Sequence, residues 1–206
     1  MRLIGIIGFI GAGKGTVGQY LVEKHNFVET SFARTLKDVV ASIFCWPRDL
    51  MEGDTTRSRE WREQVDPWWS KKLGRPVTPR WAMQYVGTDT MRTHFNTNIW
   101  VWSVEKQILN LNQDVIITDA RFPNEINLVK ELGGKVIWVQ KGELPEWYDA
   151  ALEQNRNQGY RMTKYYPNIH PSEWAWIGTT YDAVIHNNGT ISDLYEATDK
   201  CLKTLT

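Results

Sequence analysis

Short, continuously apolar runs alternate along the chain with longer segments whose apolar residues recur at spacings of three and four. Continuous runs of this kind predict strands covered on both faces, as in a parallel sheet flanked by helices. Five such runs predict strands over residues 2–8, 27–32, 114–119, 135–140 and 182–186. Val115-Ile116-Ile117 and Val136-Ile137-Trp138-Val139 are the clearest of them. Helices are predicted over 14–24, over 36–44 with Leu36, Val39, Val40 and Ile43 on one face, over 99–111 behind an Asn98 cap, and over 125–132 behind an Asn124 cap. The last of these stops at Gly133-Gly134, and a final helix runs from Thr190 or Ser192 to about Leu205, with Thr190 and Asp193 at capping-box spacing. Alternating strand and helix gives an α/β fold with a doubly wound parallel sheet.

Two stretches break that alternation. Residues 46–97 and 141–181 are far longer than ordinary connections, so each is expected to carry function or a small subdomain. Within the first, Thr78-Pro79 opens a helix through Met83, with proline at the first helical position. The expected organisation is a single domain of 206 residues with two insertions.

Composition narrows the function classes. Lys plus Arg and Asp plus Glu both number 24, so the formal net charge is zero. That balance counts against direct gripping of a nucleic-acid backbone, which draws on a basic face. An apolar fraction of 42% excludes a disordered chain. Cys45 and Cys201 are too far apart for a C-x-x-C motif, so they are expected as buried or partly buried free thiols in a reducing compartment. Eleven tryptophans could be base-stacking platforms or could line a core or cleft. The neighbours of Trp68, Trp69, Trp100, Trp102, Trp174 and Trp176 are not strongly basic, which favours packing. Glycines interrupt the apolar N-terminal run, and Lys14 stands where a signal-peptide cleavage site would fall. No apolar run approaches the roughly 18 residues of a bilayer span. The expected location is therefore cytoplasmic, with no membrane partner, and Asn188-Gly189-Thr190 is read as a turn.

The main chemical signal is Gly8-Phe9-Ile10-Gly11-Ala12-Gly13-Lys14-Gly15-Thr16, between a predicted strand and a predicted helix. Glycine lets backbone wrap closely round a polyphosphate, and the N–H groups and dipole of the helix start attract the anion. Gly11, Ala12, Gly13, Lys14, Gly15 and Thr16 are thus the candidate ATP-phosphate loop, with Lys14 reaching the β- and γ-phosphates. The residue after Lys14 is glycine, which displaces the usual magnesium-bonding hydroxyl to Thr16. Thr16 can accordingly serve magnesium or a phosphate oxygen. The run Gly-Ala-Gly-Lys-Gly-Thr resembles the loop of adenylate kinase and its relatives.

A second signal follows the third predicted strand, in Thr118-Asp119-Ala120-Arg121-Phe122-Pro123-Asn124-Glu125. A strand-end carboxylate such as Asp119 can position magnesium beside the phosphate loop. Arg121, two residues on, can face the same cleft and bind phosphate through its planar fork. The bland alternative for Arg121 is a surface ion pair with Glu125.

These residues, with Ser31-Phe32-Ala33-Arg34-Thr35-Leu36-Lys37, Arg80-Trp81-Ala82-Met83-Gln84-Tyr85-Val86-Gly87-Thr88-Asp89, Trp100 and His170-Pro171-Ser172-Glu173, resemble the bacteriophage deoxynucleoside monophosphate kinases. That family is an adenylate-kinase-like branch of the phosphate-loop kinases. The resemblance runs in order along nearly the whole chain. It implies a three-layer sandwich with a five-stranded parallel sheet, and transfer of the γ-phosphate of ATP, with magnesium, to a deoxynucleoside monophosphate. It assigns Lys14, Arg121 and Asp119 to catalysis, and Thr16 and Asp119 to the metal. Arg34, Lys37, Arg80, Gln84, Arg121 and Glu125 become candidates for the acceptor, Gln84 at the base edge. The first insertion would cover the acceptor. The second would act as a lid, with Arg156, Arg161 and Lys164 as its cations; His170 and Glu173 either order it by mutual hydrogen bonding or take part in the chemistry. The implied partner is a small-molecule substrate in the cytoplasm of an infected cell, and a homodimer stays open. Competing readings are a kinase of another small phosphoacceptor such as dephospho-coenzyme A, a non-kinase nucleotide-binding regulator, and a DNA-associated ATPase.

Overall fold

The computed structural model describes residues 1–157 and 159–205, which form two compact units, Met1–Ser31 with Gln107–Thr206 and Phe32–Lys106. The first unit opens with β1 (Leu3–Ile7), α1 (Lys14–His25) and β2 (Val28–Thr30). The second unit contains α2 (Phe32–Phe44), a short 3-10 turn at Asp49–Met51, α3 (Thr56–Glu63), α4 (Pro67–Leu73), α5 (Pro79–Gln84) and a π-helix over Tyr85–Phe95. Then α6 (Ile99–Ile108) runs to the boundary between the units. The first unit resumes with β3 (Val115–Ile117), α7 (Pro123–Glu131), β4 (Lys135–Gln140), α8 (Tyr148–Asn157), α9 (Arg161–Tyr165), α10 (Pro171–Trp174), β5 (Ala183–His186) and α11 (Ile191–Leu205).

The first unit is an α/β sandwich on an all-parallel five-stranded sheet, ordered β2-β3-β1-β4-β5. Side chains alternate across a strand, and β1 distributes them between two helical layers. Ile4 and Ile6 pack with Val17 and Leu21 of α1 and with Leu194 and Leu202 of α11. Gly5 points the other way, so close to α7 that a Cβ would stand 2.9 Å from a methyl of Val129. From β1 the chain passes through α1 to β2, whereas from β3 it passes through α7 to β4. The adjacent strands β1 and β3 thus send their connections in opposite directions. Loops at the carboxyl ends of such a strand pair flank the crevice where doubly wound sheets bind ligands.

The second unit has its own core of Val40, Ala41, Phe44, Trp46, Met51, Val77 and Ala82. Phe44 and Trp46 stack with ring centroids 4.4 Å apart. The indole N–H of Trp46 donates to Asp66 Oδ2 at 2.8 Å, and that of Trp69 to the Phe44 carbonyl at 3.0 Å, so these indoles pack as core without an orphaned donor. Thr78 caps α5 by accepting the Trp81 N–H at 3.1 Å, with Pro79 at the first helical position as expected. The indole N–H of Trp100 donates to the Gly87 carbonyl at 3.0 Å and so ties α6 to the π-helix.

Several boundaries differ from the sequence reading. Strand β2 ends at Thr30, and α2 begins at Phe32 rather than Leu36, because Phe32 is buried one turn before Leu36 and extends the same apolar face. Helix α6 ends at Ile108, and α7 begins at Pro123, one residue before the expected Asn124 cap. Cys45 is exposed rather than buried, while Cys201 is buried. Trp100, Trp174 and Trp176 are buried, but Trp68 and Trp102 remain 58% and 49% exposed. Among the described residues, no helix is long and apolar enough to cross a membrane.

Candidate active site

The loop after β1 takes a shape that depends on glycine. Gly8, Gly11 and Gly13 have φ of 142°, 76° and 99°, a region side chains rarely enter. A Cβ on Gly8 would overlap the Val139 carbonyl, and one on Gly13 would lie 2.5 Å from the Asn187 amide nitrogen. That amide in turn donates to the Ala12 carbonyl at 2.9 Å, fixing the loop from the far side. Helix α1 starts at Lys14 with no side-chain cap on Gly13 and no acidic residue in its first turn. Its positive end is therefore left for an anion. Thr16 is half-buried in the same turn. Gly11 and Gly15 have no atom within 4 Å of where a Cβ would lie, which leaves open space beside the loop.

Lys14 folds back over this loop. Its Nζ donates to the carbonyls of Gly8 and Phe9, both at 2.8 Å. Burial, reinforced by repulsion from Arg121, pulls its pKa from 10.5 down to about 8, against opposing attraction from Glu173 and Asp119. Those three charged groups are the ones gathered around the lysine.

The residues after β3 are held by their own contacts. Ser31 Oγ donates to Asp119 Oδ2 at 2.8 Å. Glu125, 2% exposed, accepts the backbone N–H of Arg121 at 2.8 Å and of Phe122 at 3.1 Å through one carboxylate oxygen. It thereby shapes the turn that carries Arg121. The guanidinium of Arg121 is paired with Glu173 at 2.7 Å, not with Glu125 as the surface-pair alternative had it. Glu173 also does not bond His170 through its side chain. His170 Nδ1 instead accepts the Ser172 N–H at 3.2 Å and caps α10. Phe9 of the loop packs edge-on against Trp176 and Trp147, with centroids 5.0 and 5.6 Å away. These aromatic contacts fasten the 141–181 segment to the phosphate loop.

Among the described residues no cluster of three His, Cys, Asp or Glu could cage a metal. Magnesium needs no such cage, since it is commonly held by one or two carboxylates together with substrate phosphates. Asp119, standing among the groups that face Lys14, suits that role.

The sequence profile of the deoxynucleotide monophosphate kinases matches residues 69–154. A protein of Acanthamoeba polyphaga mimivirus that bears the deoxynucleotide monophosphate kinase name is 30% identical over 98% of this chain and 96% of its own length. The chain belongs to the deoxynucleotide monophosphate kinase family. The deoxynucleoside-5'-monophosphate kinase of Escherichia phage T5 is 41% identical over 56 residues, covering 27% of this chain and 22% of its own. Among solved structures, a dephospho-CoA kinase from Campylobacter jejuni aligns with 100% of this chain and 97% of its own at 14% identity and a TM-score of 0.49.

In this deoxynucleotide monophosphate kinase family member the expected site residues fall into separate groups. Gly11 to Thr16, Asp119, Arg121 and Glu125 lie in the first unit. Arg34, Lys37, Arg80 and Gln84 lie in the second. Arg34 and Gln84 are exposed. Lys37 pairs with Glu52 at 2.6 Å, and Arg80 pairs with Glu63. Of the expected lid cations, Arg161 pairs with Glu153, and Lys164 stands 4.9 Å from the Tyr165 ring. Arg156 lines a cavity of about 350 Å³ with Tyr148, Leu152, Trp176 and Tyr181. The sequence reading quoted Ser31 only as part of the family string, without its tether to Asp119, and missed Asn187, since asparagine after a strand is a common turn residue.

Proposed function

We propose that this protein transfers the γ-phosphate of ATP to a deoxynucleoside monophosphate, giving the diphosphate and ADP for DNA precursor synthesis. The observation that carries the reading is Lys14, seated on a glycine loop at the switch point of the sheet within the electrostatic reach of Arg121 and Asp119. The family membership supports a nucleotide monophosphate as acceptor.

The residues suit an in-line displacement without a covalent enzyme intermediate. An acceptor phosphate oxygen forms the new bond to the γ-phosphorus as the bond to the bridging oxygen of ADP breaks. That acceptor oxygen is already anionic near neutral pH, so no strong general base is required. Lys14, released from its loop carbonyls, follows the charge on the transferring group, and Arg121 exchanges Glu173 for phosphate oxygens. Asp119 and Thr16 would be the residues to hold magnesium, which would supply neutralisation of phosphate charge. Glu125, a candidate acceptor contact, also keeps the Arg121 turn in shape. Arg34, Lys37, Arg80 and Gln84 serve the acceptor, and Arg156, Arg161 and Lys164 belong to a lid that keeps water from the donor.

Coupled ADP release with magnesium and ATP, run against the four common deoxynucleoside monophosphates and their ribose counterparts, tests the reading. Turnover with at least one deoxy acceptor above the acceptor-free background is expected. ADP release that ignores the acceptor would identify an ATPase instead and overturn it.

A further inference from the structure

The cavity of about 350 Å³ in the first unit is lined by no residue of the phosphate loop. Tyr148, Leu152 and Arg156 come from α8, and Trp176, Gly178 and Tyr181 from the segment that leads into β5. Tyr181 stands just ahead of β5, at the amino end of the parallel sheet, whereas the phosphate loop follows the carboxyl end of β1. Phe9 lies between the two. Its ring packs against Trp176 and Tyr148 with centroids 5.0 and 6.3 Å away, and its carbonyl holds Lys14.

The walls suit a flat ring. Trp138 packs edge-on to Trp176 and Tyr181, with centroids at 5.6 and 5.4 Å, which fixes two of the wall's rings. Leu152 adds aliphatic surface, and a Cβ on Gly178, whose φ is 88°, would press within 3.1 Å of a Leu152 methyl. Aromatic walls of this kind are stacking surfaces for bases. Small-molecule sites join such apolar walls to a few convergent polar groups, in volumes from about 300 Å³ upward.

The convergent groups here are three donors. Among the described residues the hydroxyls of Tyr148 and Tyr181 have no hydrogen-bond partner, and Arg156 has no ion pair. Burial raises the Tyr148 pKa, with Tyr181 and Asp149 adding to the shift and Arg156 opposing it, so these groups lie within reach of one another. Asp149 is exposed, and solvent screens its charge. Two protonated hydroxyls beside a guanidinium can all donate to the oxygens of one phosphate.

We propose that this cavity is a second nucleotide site, separate from the phosphate loop. It takes a nucleoside monophosphate, with the base against the aromatic wall and the phosphate on Tyr148, Tyr181 and Arg156. A ring without phosphate would leave the three donors unmatched, and phosphate without a ring would leave the apolar wall wet. The site uses none of Lys14, Asp119 and Arg121, so it stands independently of the function proposed above. Arg156 is the one group it shares with the lid.

Two variants remove hydroxyls and keep the rings, Tyr181→Phe and Tyr148→Phe/Tyr181→Phe. Tyr181 is 44% exposed, so the single variant still tests the site should the double one fold poorly. Calorimetry measures binding of each common deoxynucleoside monophosphate, with the parent deoxynucleosides and inorganic phosphate as probes of the ring and the anion alone. The parent protein should bind one more equivalent of at least one nucleotide than the double variant does. Tyr181→Phe should weaken that equivalent roughly tenfold. Nucleoside and inorganic phosphate should each bind there at least about tenfold more weakly than the nucleotide. The ATP KM and the acceptor-saturated rate of ADP release should match the parent's in both variants. Binding isotherms unchanged in both variants would overturn the site. Inorganic phosphate binding as tightly as nucleotide would reduce it to a bare anion site and overturn the nucleotide class. A shifted ATP KM with no equivalent lost would make the tyrosines part of the donor site and equally overturn the proposal. A parent that phosphorylates no deoxynucleotide, yet loses the equivalent in the double variant, would remove the proposed function and leave this site standing.

Discussion

At the scale of single residues, the protonation of Lys14 has consequences for pH. Its pKa is lowered from 10.5 to about 8 by burial and by Arg121. Between those two values the unfolded chain holds more protons than the folded one. Burial of Lys14 therefore penalises the fold fully below about pH 8, and the penalty fades as pH rises toward 10.5. For function the direction is opposite, because the neutral amine attracts phosphate poorly. A bound polyphosphate restores the charge, so ATP binding near pH 8 should take up about half a proton. Calorimetry in buffers of different ionisation heats checks this: the apparent enthalpy should vary with buffer for the parent and much less for Lys14→Met. Identical buffer dependence in the two proteins would show that the proton belongs to another group. The sequence located Lys14 through its glycines, but its pKa depends on Arg121, Glu173 and Asp119, which are far from it in sequence and near it only in the fold.

At the scale of elements, the turn from β3 into α7 rests on one buried carboxylate. Glu125 was legible as a possible partner for the Arg121 side chain or as a substrate contact, since carboxylates serve both. In the fold one of its oxygens accepts from two backbone N–H groups at the start of α7, which a helix cannot satisfy internally. Glu125→Ala would leave those donors without their partner and should cost about 1–3 kcal/mol of stability. It should also reduce turnover, because the backbone of Arg121 loses its support. Urea unfolding read alongside turnover tests this. Unchanged stability would mean that water replaces the carboxylate without loss. The helix over Tyr85–Phe95 had no such signal in advance. Its i to i+5 bonding does not follow from a periodicity tuned to 3.6 residues, yet it carries the Gly87-Thr88-Asp89 part of the family string.

At the scale of the whole molecule, 24 cationic and 24 anionic side chains leave no net field to hold a polyanionic backbone. DNA added to the ATP assay should therefore leave the rate of ADP release unchanged at moderate salt. A clear rise that fades with added salt would restore the DNA-associated reading. The sequence by itself determined the α/β class, the positions of the five strands and the phosphate loop. These are written in local patterns: continuous apolar runs, glycines before a lysine, and caps a few residues from their helices. Only the tertiary structure decided which charges meet. It gave Arg121 to Glu173 and Asp119 to Ser31. Such pairings join residues distant along the chain, and nothing in residue type or spacing ranks one carboxylate above another as a partner. Distance and burial rank them, and both exist only once the chain has folded.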